Sequence, residues 1–339
     1  MTTPSPVAAP DPKSAPPIRW GIIGVGWMAD QFANGINAHT ASSVHAVSSR
    51  SREKARAFAA SHSVAKAYGS VSELVADPDI DVIHIASPHS EHLDNALEAI
   101  AAGKNVLVEK PICRNGSEAK ALIEAARAAN VFVMEAMWTR YLPHMVELKQ
   151  VIADGEIGQV VSLSADHGQA FPFVPGSRWW EPSLAGGALL DLGVYPVAFA
   201  HDILGAPDFI AAAGQKTVTN VDGQVSMILG YGGTTQASLQ TTLWAQTPTV
   251  AAISGTEGRI EIAGPFYRES SFRVIRADGV REFPYKGVAN GYAYEAAEVA
   301  RRVTAGEKES PAMTPEMTLE VMATLDEVRR QIGLTYPGE

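Results

Sequence analysis

Two segments hold side chains that could move a proton. In Asn105-Val-Leu-Val-Glu109-Lys110-Pro111 an apolar run ends in an ion-capable pair and a proline. As a strand, the run would point Glu109 and Lys110 oppositely. Pro111 would fix the backbone just after the lysine. Lys110 would then stand at a carboxyl end, where open α/β sheets bind ligands. In Ala185-Gly-Gly-Ala-Leu-Leu-Asp191-Leu-Gly-Val-Tyr195-Pro196, Asp191 and Tyr195 are four residues apart. On a helix they share a face. A carboxylate and a phenol among Leu189, Leu190 and Leu192 need partners to offset their desolvation. Pro196 fits that helix only as a kink. Taken alone, the second segment reads first as a helix start with a structural aspartate and a packed tyrosine.

The elements that would position these groups begin at Ile18-Arg-Trp-Gly-Ile-Ile-Gly24-Val-Gly26-Trp-Met-Ala29. This is a buried strand, a tight turn and a helix. Gly24 allows the turn, Gly26 lets a pyrophosphate approach the backbone, and Ala29 lets the helix lie close to the strand. The helix N-terminus would hold the phosphates. After the next strand the chain reads Ser48-Ser49-Arg50-Ser51-Arg52, with no carboxylate before Glu53. A free ribose 2′-hydroxyl usually meets Asp or Glu there. Hydroxyls and guanidinium groups suit a 2′-phosphate instead. The expected cofactor is NADP(H), with NAD(H) used less well. Arg50 with Ser49 is the first choice for the phosphate and Arg52 the second. Trp27, Met28, Pro88, His89, Glu109 and Lys110 complete the candidate cofactor set.

Between residues 18 and 136, strands expected at 18–23, 43–48, 81–86, 105–109 and 131–134 alternate with helices at 27–37, 51–60, 71–76, 90–101 and 117–129. That alternation predicts a parallel sheet covered on both faces. After residue 140, helices at 141–153 and 184–203 precede β-prone segments at 158–166, 208–217, 223–231, 234–243, 248–254, 257–263 and 270–276, and helices at 288–304 and 314–331 close the chain. The predicted class is α/β, an N-terminal Rossmann dinucleotide-binding domain (18–136) followed by an α+β domain on a largely antiparallel open sheet (137–339). Residues 1–17, rich in Pro, Ala, Ser and Thr, read as a disordered tail.

The 339 residues carry a formal charge of −10 and are 46% hydrophobic. An acidic chain without a basic patch argues against a nucleic-acid partner. No apolar run reads as a membrane span, and no secretory signal is evident, so a cytoplasmic location is expected. Cys113 is the single cysteine, which excludes an internal disulfide and cysteine-based metal motifs. His89 and His92 lack an obvious third ligand, so no metal is expected. Apolar residues alternate along Val225–Leu229 and Ala237–Leu243, and few helices are available to cover both faces of the sheet. A two-fold pairing through that sheet, burying more than about 1,200 Å², is the expectation.

Gly24-x-Gly26-x-x-Ala29, Glu109-Lys110-Pro111 and Gly186-Gly-Ala-Leu-Leu-Asp191-x-Gly193-x-Tyr195 together resemble the glucose–fructose oxidoreductase / inositol dehydrogenase (Gfo/Idh/MocA) family over residues 18 to 337. Met134-Glu-Ala-Met-Trp138-Thr-Arg140-Tyr141, Tyr294-Glu-Ala-Ala-Glu298 and the Gly333-Leu334 ending are similar to its dimeric dihydrodiol dehydrogenase and NADP-dependent D-xylose dehydrogenase branch. The resemblance implies that Lys110 and Tyr195 flank the reacting carbon with Asp191 beside them, and that Trp138 and Arg140 edge the substrate site. Many relatives carry histidine in place of Tyr195. Arg178, Trp179 and Trp180 precede the Asp191 helix, and aromatic faces with a fork of donors suit a polyhydroxylated ring. Trp179 and Trp180 read equally as a packed lid.

The implied reaction is hydride transfer between cofactor and a secondary alcohol or hemiacetal carbon of a small cyclic polyol. Tyrosine, with a free pKa of about 10, is a poor base, and a neighbouring ammonium favours its phenolate. Tyr195 is then general base or acid, Lys110 tunes it, and Asp191 orients. The alternative makes Lys110 the direct proton carrier. An aldose 1-dehydrogenase acting on D-xylose-like sugars leads. A trans-1,2-dihydrodiol dehydrogenase or a keto-sugar or dicarbonyl reductase follows. A non-catalytic dinucleotide-binding sensor is the reading of a different class.

Overall fold

The computed structural model describes residues 9–339, which form two compact units, Pro10–Trp138 with Asn290–Leu319, and Thr139–Ala289 with Glu320–Glu339. In the first unit β1 (Arg19–Ile23), β2 (Ser43–Ser48), β3 (Lys66–Tyr68), β4 (Val82–Ile85), β5 (Asn105–Glu109) and β6 (Val133–Ala136) form a parallel sheet in the order β3-β2-β1-β4-β5-β6. The order reverses at β1, where doubly wound sheets bind dinucleotides. Strands β4 and β6 are buried throughout, as are Trp20–Ile23 of β1 and Val106–Glu109 of β5. Burial on both faces makes these strands read as continuous apolar runs.

The covering helices are α1 (Trp27–His39), α2 (Arg52–His62), α3 (Val71–Val75), α4 (His92–Ala101) and α5 (Gly116–Ala129). Their starts follow from capping: Ser51, Ser70 and Asn115 accept the amides of Lys54, Glu73 and Glu118. β3 was not expected. It is only three residues long, too short for a period to show.

The boundaries differ from the expected division in two ways. The expected tail is ordered from residue 10: Pro12–Ser14 form a 3-10 turn, Ala15 is buried, and Arg301 Nη2 donates to Asp11 O at 2.8 Å. Residues 1–8 lie outside the described part. The late helix α8, Tyr292–Thr304, belongs to the first unit. Its leading Asn290 donates to Gln31 O at 3.0 Å, and a Cβ on Gly35 would lie 2.5 Å from Asn290 Oδ1. That missing side chain is what admits the late segment.

The second unit holds α6 (Pro143–Ala153), β7 (Val160–Gly168), α7 (Val194–Leu204), β8 (Phe209–Lys216), β9 (Asp222–Gly230), β10 (Gln236–Thr242), β11 (Ala251–Gly255), β12 (Gly258–Ile262), β13 (Phe272–Arg276) and β14 (Gly279–Phe283). The helix α9 (Pro315–Ile332) ends in it. The sheet order is β14-β13-β12-β11-β7-β10-β9-β8, antiparallel except where β7 pairs β10. Leu163, Val225, Met227, Leu229, Ala237 and Leu239 are buried, while Ser162, Ser164, Ser226, Ser238 and Gln240 are exposed. The apolar alternation therefore serves one face, and the other is largely polar. This corrects the expectation that both faces need cover.

Pro182–Leu204, 23 residues, is long and apolar enough to span a bilayer by composition, contrary to the sequence expectation. In the structure 89% of its most apolar window is buried within the protein, as in a core helix.

Candidate active site

In the first unit the Gly24–Gly26 turn has the features a pyrophosphate needs. Gly24 has φ +95°, and a Cβ there would lie 2.6 Å from Ala86 O. Gly26 is the N-cap of α1 with no side-chain cap bond, and a Cβ there would meet nothing within 4 Å. The α1 N-terminus thus lacks a side-chain cap, with Met28 half-buried and Trp27 69% exposed. At the end of β2, the Arg50 side chain is 87% exposed, with Nη1 3.1 Å from Glu91 Oε1. Arg52 is held by both Glu73 oxygens at 2.5 and 2.7 Å. Arg50 is thus the more exposed of the two, and Arg52 the one tied down by a carboxylate. Ser49 Oγ accepts the Ser51 amide at 3.3 Å. Pro88 is half-buried and His89 buried, beside the His92 ring.

Lys110 follows β5 at its carboxyl end. The next two residues are fixed from the interior: His92 Nδ1 lies 3.0 Å from Pro111 O, and the Ile112 amide donates to Glu135 Oε1 at 3.1 Å. The Lys110–Pro111 peptide is cis. Glu109 points inward, accepting from His84 Nε2 at 2.9 Å, where strand alternation puts it. Trp138 is buried, stacked on Tyr292 at 4.2 Å.

The second unit brings Arg178, Trp179, Asp191 and Tyr195 together. Leu189–Gly193 form a π-turn that runs into α7. Pro196 explains the irregularity: it has no N–H for Leu192 O, four residues back. His167 Nδ1 donates to that oxygen instead, at 3.2 Å, and accepts at Nε2 from Gln169 at 3.0 Å. Asp191 is buried and held by Trp179 Nε1 at 2.8 Å and Arg178 Nη2 at 3.1 Å. Arg178 stacks on Trp179 and remains half exposed, while Trp179 stacks on Phe171 at 4.2 Å. Trp180 is buried against Ala188, Leu192 and Leu243. The glycine pair makes this docking possible, because a Cβ on Gly186 would lie 2.6 Å from Arg178 O.

Tyr195 sits in an aromatic cluster that the sequence reading missed. Its ring centroid is 4.4 Å from that of Tyr267 and 5.4 Å from that of His167, and those two stack at 4.4 Å. Burial raises the Tyr267 pKa, with Asp191 adding to the shift and Arg268 opposing it. Tyr267 lies in the turn after Gly264-Pro265, and His167 near the end of β7. Only the breaker pair hinted at the turn, and nothing at its pairing with Tyr195. Arg140 is buried in an ion pair with Asp202, 3.3 Å away, and Asp202 also holds Lys149 at 3.1 Å. That placement makes Arg140 a brace of this unit.

Residues 18–137 match the family described as "Oxidoreductase family, NAD-binding Rossmann fold", and residues 145–261 match the GFO/IDH/MocA C-terminal domain. The chain belongs to the GFO/IDH/MocA oxidoreductase family. This family member is 37% identical to a trans-1,2-dihydrobenzene-1,2-diol dehydrogenase of Xenopus tropicalis over 94% of this chain and 99% of the relative. It is 33% identical to a D-xylose 1-dehydrogenase (NADP(+)) of Hypocrea jecorina over 94% and 93%. Among solved structures it shares the fold of a 3-ketoreductase from Actinomadura kijaniata, with a TM-score of 0.84 at 24% identity over 94% and 98% of the two chains. An NAD binding oxidoreductase from Klebsiella pneumoniae is similar, with a TM-score of 0.82 at 25% identity over 94% and 97%. The protein is a dehydrogenase-type oxidoreductase, which sets aside the sensor reading.

Proposed function

We propose that this protein is an NADP-dependent dehydrogenase of a small cyclic polyol, oxidising an aldose of the D-xylose type at its hemiacetal carbon. A trans-1,2-dihydrodiol dehydrogenase is the second reading, supported by the names of the relatives that share 37% identity. The observation that carries the proposal is the Asp191 carboxylate gripped by Arg178 and Trp179 on the turn that leads to Tyr195. A carboxylate so held is preorganised to orient substrate hydroxyls, and the half-exposed Arg178 fork offers further donors.

NADP fits the residues present. The open Gly26 face and the uncapped first turn of α1 would hold the pyrophosphate, and Arg50 with Ser49 would hold the 2′-phosphate. When bound, the nicotinamide supplies the hydride acceptor or donor. Tyr195 Oη takes the substrate hydroxyl proton in oxidation and returns it in reduction. The assay is a panel of aldoses, trans-diols and keto-sugars, read by absorbance of the reduced cofactor. Turnover with pentoses and a preference for NADP over NAD support the reading. Binding of NADP without turnover of any member would refute it.

We further propose a homodimer through the polar outer face of the second unit's sheet. Its exposed Ser162, Ser164, Ser226 and Ser238 are small enough for two sheets to approach, and Ile228 and Trp244 offer apolar contacts. Sedimentation at micromolar concentration should give about twice the 36.0 kDa chain mass. A single species at the chain mass would exclude the pairing.

A further inference from the structure

Asp222, the first residue of β9, is fully buried. Its Oδ2 accepts the Leu189 amide at 2.6 Å. Leu189 opens the π-turn carrying Asp191, and Tyr195 follows on the same continuous helix. The residue before that turn, Ala188, offers no side-chain cap. Asp222 therefore supplies from a neighbouring strand the acceptor that an N-cap residue would give. The approach depends on Gly187, which has φ +124°, and whose Cβ would lie 2.0 Å from Asp222 Oδ1. Asp222 Oδ1 is buried, and the backbone amides of Ala188 and Asp222 also favour the charge of the carboxylate.

We propose that the Asp222 carboxylate is the positioning residue of the proton-handling helix, holding the first amide of the turn that places Asp191 and Tyr195. This rests on the role given above to Tyr195. The groups facing Asp222 are few. Arg329 of α9 attracts its charge, but that guanidinium is also bound by Glu339 and by Asp326 at 3.4 Å, and lies over the Tyr336 ring at 4.6 Å. Tyr336 is buried beside Asp222 with its hydroxyl unpartnered, and Lys216 of β8 lies opposite Asp222 in register. Burial raises the Asp222 pKa to about 7, against the amide bonds and Arg329. The native chain thus binds a proton between about pH 4 and 7 that the unfolded chain does not. Stability falls as pH rises through that window, and the lost stability stays lost above it. The charge that holds the turn is a stability liability.

Asp222→Asn keeps the shape and an acceptor oxygen but removes the charge. In the full-length protein at pH 8 the variant should melt at or above the wild-type temperature, and the decline of its melting point from pH 5 to 8 should be smaller than in wild type. With NADP and the best panel substrate, kcat should fall about 10-fold while the dissociation constant for NADPH stays unchanged. Hydrogen exchange of the segment 186–195, read by mass spectrometry at pH 8, should quicken several-fold, and this readout does not depend on turnover. Unchanged exchange in that segment overturns the proposal, as does a kcat equal to wild type from pH 6 to 9. A lower melting temperature accompanying lost activity would make Asp222 merely structural and equally overturn it. Failure of the substrate panel with faster exchange in the variant would leave Asp222 in place and refute only the assigned reaction.

Discussion

Two glycines two residues apart should fail in opposite ways when changed to alanine. Gly24→Ala forces a side chain onto φ +95°, and its Cβ would stand 2.6 Å from Ala86 O and 2.9 Å from Ala86 C, both backbone atoms after β4. Backbone strain of this kind costs about 1–3 kcal/mol and overpacking about 1–3 kcal/mol more. In a chain of this size that lowers the melting temperature by roughly 3–8 °C. Gly26 has φ −84° and ψ −173°, which any residue adopts, and its Cβ would meet nothing. Gly26→Ala should leave stability nearly unchanged, because a gain of about 0.4–1 kcal/mol through the unfolded chain is offset by alanine's weakness as an N-cap. Its methyl, however, is expected to crowd a pyrophosphate at the α1 N-terminus. Losing one charge-assisted bond there, about 1.5–3 kcal/mol, weakens NADPH binding roughly 10- to 150-fold. Thermal melts without cofactor and fluorescence titration with NADPH separate the two. The reasoning fails if Gly26→Ala binds NADPH as wild type does, or if both variants lose equal stability.

Arg50→Ala should raise the Michaelis constant for NADP by about 10-fold or more and barely move that for NAD, whereas Arg52→Ala, removing an exposed pair with Glu73, should change neither; steady-state kinetics with both cofactors decides. Trp179→Phe keeps the stack on Phe171 but removes the Nε1 donor to Asp191, so kcat/KM should fall about 5- to 10-fold with the fold intact by circular dichroism. Glu295 is fully buried with both oxygens unpartnered, and burial, then Glu109, holds its pKa well above the ordinary range. Its folded-state pKa exceeds the unfolded value, so wild-type stability should fall as pH rises from about 5. Glu295→Gln should shrink the difference in denaturation midpoint between pH 5 and 8, and an undiminished difference would contradict that account.

The parallel strands other than the three-residue β3, and their helices, were legible because burial on two faces writes apolar runs, and caps such as Ser51 and Asn115 mark the starts. β14 left no such mark: Gly279–Glu282 are all exposed on an edge strand, so no alternation is selected. The spacing of Asp191 and Tyr195 pointed to one helix, but not to the π-turn that Pro196 and His167 impose. Partners distant in sequence were illegible. Tyr267 reaches Tyr195 across 72 residues, Asp222 reaches Leu189 across 33, and Asp202 meets Arg140 across 62. No period links such pairs, because the sheet and its crossings bring them together. Arg140 shows the same limit from the other side, since a guanidinium suited to a sugar is equally suited to a buried carboxylate.

The central claim is that Tyr195 handles the substrate proton, and Tyr195→Phe tests it most directly. Tyr195 packs on Tyr267 and His167 through its ring, which phenylalanine retains. The account predicts that kcat for sugar or diol oxidation falls about 100- to 10,000-fold, while the dissociation constant for NADPH and the melting temperature stay as in wild type. A variant that keeps wild-type kcat across the pH range would contradict it.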